Sequence, residues 1–186
     1  FVGSPAMNFV RTRLEKENGG LAAVFGDVRV SLPKEVIRRA RDVERFIGRE
    51  VILGIRPEDL EDAGMDGNVR GATTHEVEPQ MIESMGSAKY VYFALERVLA
   101  ARMPRIGMDE WTGRDDETSK ELLVAQVSPA SGVRRGHMVR LVVDSSKVHL
   151  FDPETEETIL RGEAPAGSGQ GSRPRTGPED QNGYRG

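Results

Sequence analysis

The 186-residue sequence contains no cysteine and only three histidines. The absence of cysteine excludes a disulfide framework, a cysteine nucleophile and a thiolate metal site. His75, His137 and His149 lie far apart in the sequence, so we do not expect a histidine-rich metal site. Apolar runs are short, and none approaches the roughly 20 residues that a membrane-spanning helix needs.

Catalytic and nucleotide-binding motifs are missing as well. The sequence has no P-loop, no dinucleotide-binding glycine motif after a strand, no zinc-protease motif and no nucleophile elbow. We therefore predict no catalytic, metal-ligating or cofactor-binding residue in this chain. Lys and Arg together number 26 against 30 Asp and Glu, which gives a net charge of −4. This acidity disfavours a nucleic-acid partner, because nucleic-acid-binding domains are normally basic.

Two segments are too polar to contribute to a core. Residues 162–186 are rich in Gly, Pro, Ser and Arg, with Tyr184 as their only large apolar side chain, and we predict a disordered tail. Residues 97–120 are polar, contain the single tryptophan, Trp111, and are expected to form an insertion between strands. Because the sequence starts at Phe1 rather than Met, we expect it to be part of a longer protein.

Short strands dominate the rest of the chain. Apolar and β-branched runs predict strands at residues 7–15, 21–25, 28–32, 50–55, 69–84, 89–95, 121–127, 138–143, 147–151 and 158–160. The run at 69–84 is one strand or two, with Pro79 as a break or edge position. Residues 59–68 are acidic, contain glycine and are predicted to form a loop. Many short strands joined by such links are typical of a small β barrel.

One helix is predicted, at residues 33–47. Its apolar side chains form a single stripe at helical spacing: Val36, Ile37, Ala40, Val43, Phe46 and Ile47. Pro33 suits the first turn of a helix, and Gly48 is a suitable stop. We expect the stripe to pack against a β layer. A basic amphipathic helix that lies on a membrane surface is the alternative.

Several single residues have a structural interpretation. We expect His149 to be a strand histidine with a backbone or carboxylate partner rather than a metal ligand. Gly54 fits a close backbone approach at a bend of the barrel, and Gly86 fits a hairpin turn. Phe151 is expected to pack in the barrel, and Asp152 to shape the following turn.

Two further groups have alternatives of their own. Arg56 and Glu58, on either side of Pro57, suit a local ion pair of small energy at the end of a strand. An aromatic group around residue 91 suits either the core or a base-stacking surface, and the core is preferred because few cations lie nearby. This group consists of Tyr90, Tyr92 and Phe93.

Four phrases, in order, resemble one protein family. Residues 1–9 read FVGSPAMNF, residues 51–60 read VILGIRPEDL, residues 83–92 read ESMGSAKYVY, and residues 148–155 read VHLFDPET. Together they are similar to the C-terminal half of the ATP-binding subunit of maltose-, trehalose- and glycerol-phosphate-type sugar importers of the ABC transporter class. One position departs from the pattern: Glu156 stands where the family usually has glycine. A residue with a side chain is costly there if the turn needs a positive φ.

The resemblance implies a mainly β, OB-like or MOP-like small barrel (a TOBE domain) with one amphipathic helix and a disordered tail. It implies the end of an ATPase domain at residues 1–8, a regulatory domain at 9–161 and the tail at 162–186. ATP and Mg²⁺ would then belong to an upstream ATPase domain. The implied regulatory or dimer contact comprises Gly54, Arg56, Pro57, Glu58, Gly86, His149, Phe151 and Asp152.

The resemblance also implies partners and a location. The partners are a second copy of the subunit, the permease subunits and an external sugar-binding protein, and in relatives a regulatory protein or the transported sugar acts on this domain. The location is the cytoplasmic face of the plasma membrane, through the permease subunits. Two other functions stay open: an oxyanion-binding module that uses Lys89 and nearby Ser-Gly elements, and an OB-fold nucleic-acid binder.

Overall fold

The structure is a computed structural model that describes residues 5–65, 73–95 and 122–162. These residues form twelve strands, in chain order β1 (Asn8–Glu17), β2 (Gly20–Phe25), β3 (Val28–Pro33), β4 (Glu50–Ile55), β5 (Leu60–Asp62), β6 (Thr73–Val77), β7 (Pro79–Ser84), β8 (Lys89–Phe93), β9 (Leu123–Val127), β10 (Val139–Val143), β11 (His149–Phe151) and β12 (Thr158–Leu160). Helical structure is limited to α1 (Lys34–Ile37) and two 3₁₀ turns, Val43–Phe46 and Pro57–Asp59. The fold is mainly β, as the sequence predicted.

The strands form three antiparallel sheets. The largest has six strands in the order β12-β11-β4-β1-β2-β3, and the two smaller ones have the orders β5-β10-β6 and β7-β8-β9. The strands predicted at 21–25 and 28–32 form a hairpin around Gly26 and Asp27, because Phe25 pairs with Val28 at the ends of β2 and β3. The run predicted at 69–84 is two strands, and Pro79 begins the second.

A single core joins the three sheets. Alternate residues of the six-stranded sheet, such as Leu14 and Leu53, point to the same buried cluster as Val91 of β8 and Leu141 of β10. These four side chains are at most 2% exposed. Since burial of one such side chain is worth about 1.5–3 kcal/mol, the alternating apolar pattern of the strands also fixes which face of each sheet is inside.

The predicted loop at 59–68 is partly wrong. Leu60–Asp62 forms β5, which pairs with the far end of β10 through Leu60 and Val143. A three-residue strand carries too little alternation to be read from sequence, and it forms here because β10 supplies the hydrogen-bonding partner.

The predicted helix at 33–47 is confirmed only in part: its apolar stripe is buried and both of its ends are helical, but the helix is not continuous. Only α1 is α-helical, and Val43–Phe46 is a 3₁₀ turn. Pro33 provides no side-chain cap, and Asp42 adopts a left-handed conformation with φ +47° that ends any continuous helix. The backbone instead bonds to the sheet, because the Arg41 N–H donates to the Ile159 carbonyl at 2.8 Å. Val36 and Val43 are still buried against the core. The long amphipathic helix required by the membrane alternative is therefore absent from the described residues.

Other predictions fall on residues outside the described ranges. These are the insertion at 97–120 with Trp111 and the tail beyond residue 162. Within the described ranges, none of the helices has the length and apolar character needed to cross a bilayer.

Candidate functional site

Three of the four family-like phrases meet on the outer face of the six-stranded sheet, the face turned away from the main core. β4 lies between β1 and β11, so that Gly54 is opposite Phe9 on one side and His149 on the other. Ile52 is opposite Phe151 in the same β4–β11 ladder. Residues almost 100 positions apart in sequence therefore become neighbours.

A small apolar cluster occupies this face, and we call it the outer cluster. It consists of Met7, Phe9, Ile52 and Phe151, and it is separate from the main core. The rings of Phe9 and Phe151 meet edge to face with centroids 5.7 Å apart, an arrangement that aromatic quadrupoles favour. The His149 ring lies nearly parallel to that of Phe151, with centroids 6.1 Å apart.

Gly54 leaves the space that the outer cluster fills. A Cβ atom built on Gly54 would lie 2.6 Å from Met7 Sδ and 2.9 Å from Phe151 Cε2. Such contacts are far below van der Waals separation, so any side chain at this position displaces its neighbours. The sequence interpretation of a close approach is thus right in kind, but side chains make the approach, not another backbone.

His149 is a buried, neutral histidine. It is 5% exposed, and its Nδ1 accepts a hydrogen bond from the Gly162 N–H at 3.4 Å, the backbone partner that was expected. Burial, with help from the positive charges of Arg56, Arg161 and Arg39, lowers the pKa of His149 to about 4. Within the described ranges, no group of three His, Asp or Glu side chains is arranged to hold a metal ion.

The corner after β4 contains an ion pair different from the predicted one. The Arg56 guanidinium lies 3.7 Å from Asp59 Oδ2, whereas Glu58 is exposed, so the predicted Arg56–Glu58 pair is wrong. The 3₁₀ turn that Pro57 begins brings Asp59 back to Arg56. Lys147 approaches the other oxygen of Asp59 at 3.9 Å.

Asp59 is the buried member of this corner. It is 8% exposed, and burial raises the pKa of its carboxyl against the opposing charge of Lys147. Sequence analysis did not single out Asp59 or Lys147. The only available signal was that Asp59 belongs to the 51–60 phrase, and its partner Lys147 lies 88 positions away in the sequence.

Gly86 and Asp152 lie in turns. Gly86 adopts a positive φ of +70° in the exposed β7–β8 turn, which confirms the hairpin interpretation but places it in a different sheet from Gly54. Asp152 shapes the turn after β11, since its Oδ1 accepts a hydrogen bond from the Glu154 N–H at 2.8 Å. In the same turn, Glu156 has φ +59°, the conformation for which glycine is suited.

Asn8 is a structural residue that the sequence interpretation missed. Its Nδ2 donates to the carbonyls of Ile55 and Val124, and its Oδ1 accepts from the Val124 N–H at 2.7 Å. The side chain thus fastens the start of β1 both to β4 and to β9 in another sheet. A lone asparagine beside a strand gives no sequence signal for such a contact.

The aromatic group of β8 divides between two faces. Phe93 is 3% exposed and belongs to the core, as preferred, whereas Tyr90 and Tyr92 are half-buried on the opposite face. The Tyr92 hydroxyl donates to Glu83 at 2.9 Å, and burial together with this carboxylate raises the pKa of Tyr92 to about 12. A carboxylate beside the rings is unfavourable for stacking against a nucleic acid.

Comparisons with known proteins agree with this architecture. Residues 3–60 match the family model of the MalK OB fold domain. The chain is 38% identical over 161 residues to the sulfoquinovosyl glycerol transport ATP-binding protein SmoE of Agrobacterium fabrum, covering 86% of this chain and 35% of that protein. It is 32% identical over 159 residues to the trehalose import ATP-binding protein SugC of Mycobacterium tuberculosis, covering 83% and 38%. It is also 32% identical over 162 residues to the trehalose/maltose import ATP-binding protein MalK of Thermococcus litoralis, covering 86% and 36%.

The sheets and the family match together define a mainly β domain of the OB class. Residues 3–60 match the MalK OB fold domain, and 83–86% of the chain is similar to ATP-binding proteins of sugar importers at 32–38% identity. The resemblance based on the four phrases is therefore confirmed. The chain spans about a third of the length of these relatives, 35–38% of each.

Proposed function

We propose that this chain is the regulatory and dimerisation domain of the ATP-binding subunit of a carbohydrate importer. The observation that carries the proposal is the convergence of three family-like phrases at the outer cluster. The outer cluster is covered within the chain, since Phe9, Ile52 and Phe151 are at most 7% exposed, and it supports the neighbouring corner, where Glu58 is exposed and can meet a second subunit. The second copy of the chain would pack on this face, with Arg56, Pro57 and Glu58 at its edge.

The whole protein would couple ATP hydrolysis to sugar uptake. The relatives are ATP-binding proteins of sugar importers, and the aligned part of this chain covers only 35–38% of their length. ATP and Mg²⁺ would bind to the ATPase part of the protein. The assembly would include permease subunits and an external sugar-binding protein, and the domain would lie at the cytoplasmic face of the membrane through the permease.

The role proposed for the domain is mechanical. β1 begins at Asn8, within the first family-like phrase, and Asn8 fastens it to β4 and β9. A displacement at the start of β1 is therefore transmitted to two sheets rather than absorbed in a loose strand. A rigid body of this kind is able to hold two subunits together while their ATPase parts move.

Sedimentation equilibrium of the chain at micromolar concentration tests the proposed contact. Glu58 is exposed at the corner, so Glu58→Arg is expected to preserve the fold and to weaken dimerisation about tenfold, since reversal of a contact charge costs on the order of 1.4 kcal/mol. The matched control is Glu35→Arg, on the exposed side of α1, with no expected effect. A wild-type chain that stays monomeric, or equal effects of both variants, would contradict the proposed contact.

A further inference from the structure

A cavity of about 320 Å³ lies between the turn after β5 and the loop that joins β9 to β10. The polar and glycine residues that line it include Asp62, Gly64, Gly132, Arg134, His137 and Arg140. It belongs to the β5-β10-β6 side of the molecule, whereas the proposed dimer contact lies on the six-stranded sheet. The sequence analysis named Lys89, which lies near this cavity, as a possible anion ligand. The Lys89 ammonium instead donates a hydrogen bond to the Ser131 carbonyl at 2.5 Å.

The charges that face this cavity are mainly positive. Residues 122–143 contain no Asp or Glu, in a chain with 30 of them. Arg134 makes no ion pair within the part of the chain that the structure describes. Arg140 lies 3.9 Å from Glu76, but both side chains are more than 60% exposed, and such a pair is worth only about 0–1 kcal/mol.

The one carboxylate in the lining is already satisfied. Asp62 Oδ2 accepts a hydrogen bond from the Ser131 hydroxyl at 2.5 Å, and Oδ1 accepts one from the Gly64 N–H at 2.9 Å. Both oxygens are thus directed to the walls. Asp62 stabilises the shape of the cavity and leaves the guanidinium groups available to a ligand.

The same contacts make the two walls rigid. Ser131 is 2% exposed, and its hydroxyl also accepts a hydrogen bond from the Val133 N–H at 3.2 Å. On the opposite side, the Ala63 N–H donates to the Arg140 carbonyl at 2.9 Å. A site whose walls are ordered before binding loses less entropy when a ligand enters.

We propose that this cavity binds a small organic anion through its phosphate or carboxylate group. Arg134 and Arg140 would hold the anionic group, because guanidinium groups match both oxyanions in geometry and charge. Val133, Val139 and Met138 supply an apolar wall for the rest of the ligand, and Met138 is 61% exposed beside it. The neighbouring cavity, of about 310 Å³, is lined by Asp27, Glu76 and Glu78 and would repel the same ligand.

Titration calorimetry of the chain with three probes tests the proposal: inorganic phosphate, phenyl phosphate and benzoate, each at ionic strength fixed with chloride. Phenyl phosphate is expected to bind more tightly than inorganic phosphate, because its ring can contact the apolar wall and inorganic phosphate has no such group. The comparison with benzoate shows whether phosphate or carboxylate is preferred. Arg134→Gln is expected to weaken the binding of phenyl phosphate about tenfold, the loss typical of one charge-assisted hydrogen bond.

Arg29→Gln is the matched control, because Arg29 is also exposed but pairs with Glu15 on β1. Its affinity for phenyl phosphate is expected to equal that of the wild type. Absence of saturable binding by all three probes would overturn the proposal. So would equal affinities of the Arg134→Gln and Arg29→Gln variants, since binding would then lie elsewhere. Neither result bears on dimerisation, which sedimentation measures separately.

Discussion

At the residue scale, Glu156 occupies a backbone conformation that suits glycine. Its φ is +59°, and its N–H donates to the Asp152 carbonyl at 2.9 Å to close the turn between β11 and β12. A side chain in the left-handed region costs roughly 1–2 kcal/mol, and glycine avoids this cost. The departure from the family pattern therefore leaves the turn in place and stores a small strain in it.

We expect Glu156→Gly to be more stable than Glu156→Ala by about 1 kcal/mol. Both variants remove the glutamate side chain and its contacts, so their difference reports the backbone alone. Urea denaturation of the two variants measures the difference in free energy of unfolding. Equal stability would contradict a left-handed conformation at this position.

Gly54 is constrained by space rather than by φ. The Cβ of Gly54→Ala would meet Met7 Sδ and Phe151 Cε2, so we expect a loss of about 1–3 kcal/mol from overpacking. Gly132→Ala is the control, because nothing lies within 4 Å of its Cβ position. Thermal unfolding compares the two. A Gly54→Ala variant as stable as Gly132→Ala would show that the outer cluster is loosely packed.

His149 makes stability dependent on pH. Its pKa is about 4 in the folded chain against an ordinary value of 6.5, so between these values the unfolded chain binds more protons. Stability is therefore lost as pH falls through this window, by about 2 kcal/mol between pH 8 and pH 5.

Urea denaturation at both pH values measures this loss in the wild type and in two variants. His149→Gln should lose less stability than the wild type over the same interval, and the exposed His137→Gln should behave like the wild type. The assignment to His149 fails if the three proteins lose the same free energy.

At the element scale, the strands were predictable and the helix was not. β4 matches its predicted bounds because its apolar run is continuous and its ends are marked by Gly48 and Pro57. The stretch from 33 to 47 has a helical apolar stripe, and this stripe is indeed buried. Its backbone, however, bonds to β12 through Arg41, a long-range contact that no local pattern contains. The same limit explains why the β4–β11 ladder and Asn8 were not foreseen.

Substitutions at Asp42 distinguish a continuous helix from the interrupted one that is observed, because the stability difference between Asp42→Gly and Asp42→Ala has opposite signs in the two. In a continuous helix, Asp42→Gly would be less stable than Asp42→Ala by about 1 kcal/mol. At the observed φ of +47° the order is reversed, and the glycine variant should be the more stable by about 1 kcal/mol. Chemical denaturation of the two variants decides between them, because only the sign of the difference is needed.

At the scale of the whole molecule, Asn8 joins the sheets. Its side chain makes three hydrogen bonds, to the Ile55 carbonyl and to both backbone groups of Val124. Asn8→Ala leaves these buried backbone groups without partners, and we expect a loss of about 2–3 kcal/mol. Asn18→Ala, in the exposed β1–β2 turn, is the matched control and should stay within about 0.5 kcal/mol of the wild type.

Hydrogen exchange at individual amides then shows which part of the molecule loses stability in the Asn8→Ala variant. The Val124 amide donates to the Asn8 side chain, whereas Val91 lies in β8 between two other strands. If Asn8 couples the sheets, Asn8→Ala should speed exchange at Val124 more than at Val91, because the contact between β1 and β9 opens before the rest of the molecule. Equal acceleration at both amides would mean that the variant only lowers global stability. The start of β1 would then not be coupled specifically to β9, and the mechanical role proposed for the domain would lose its physical basis.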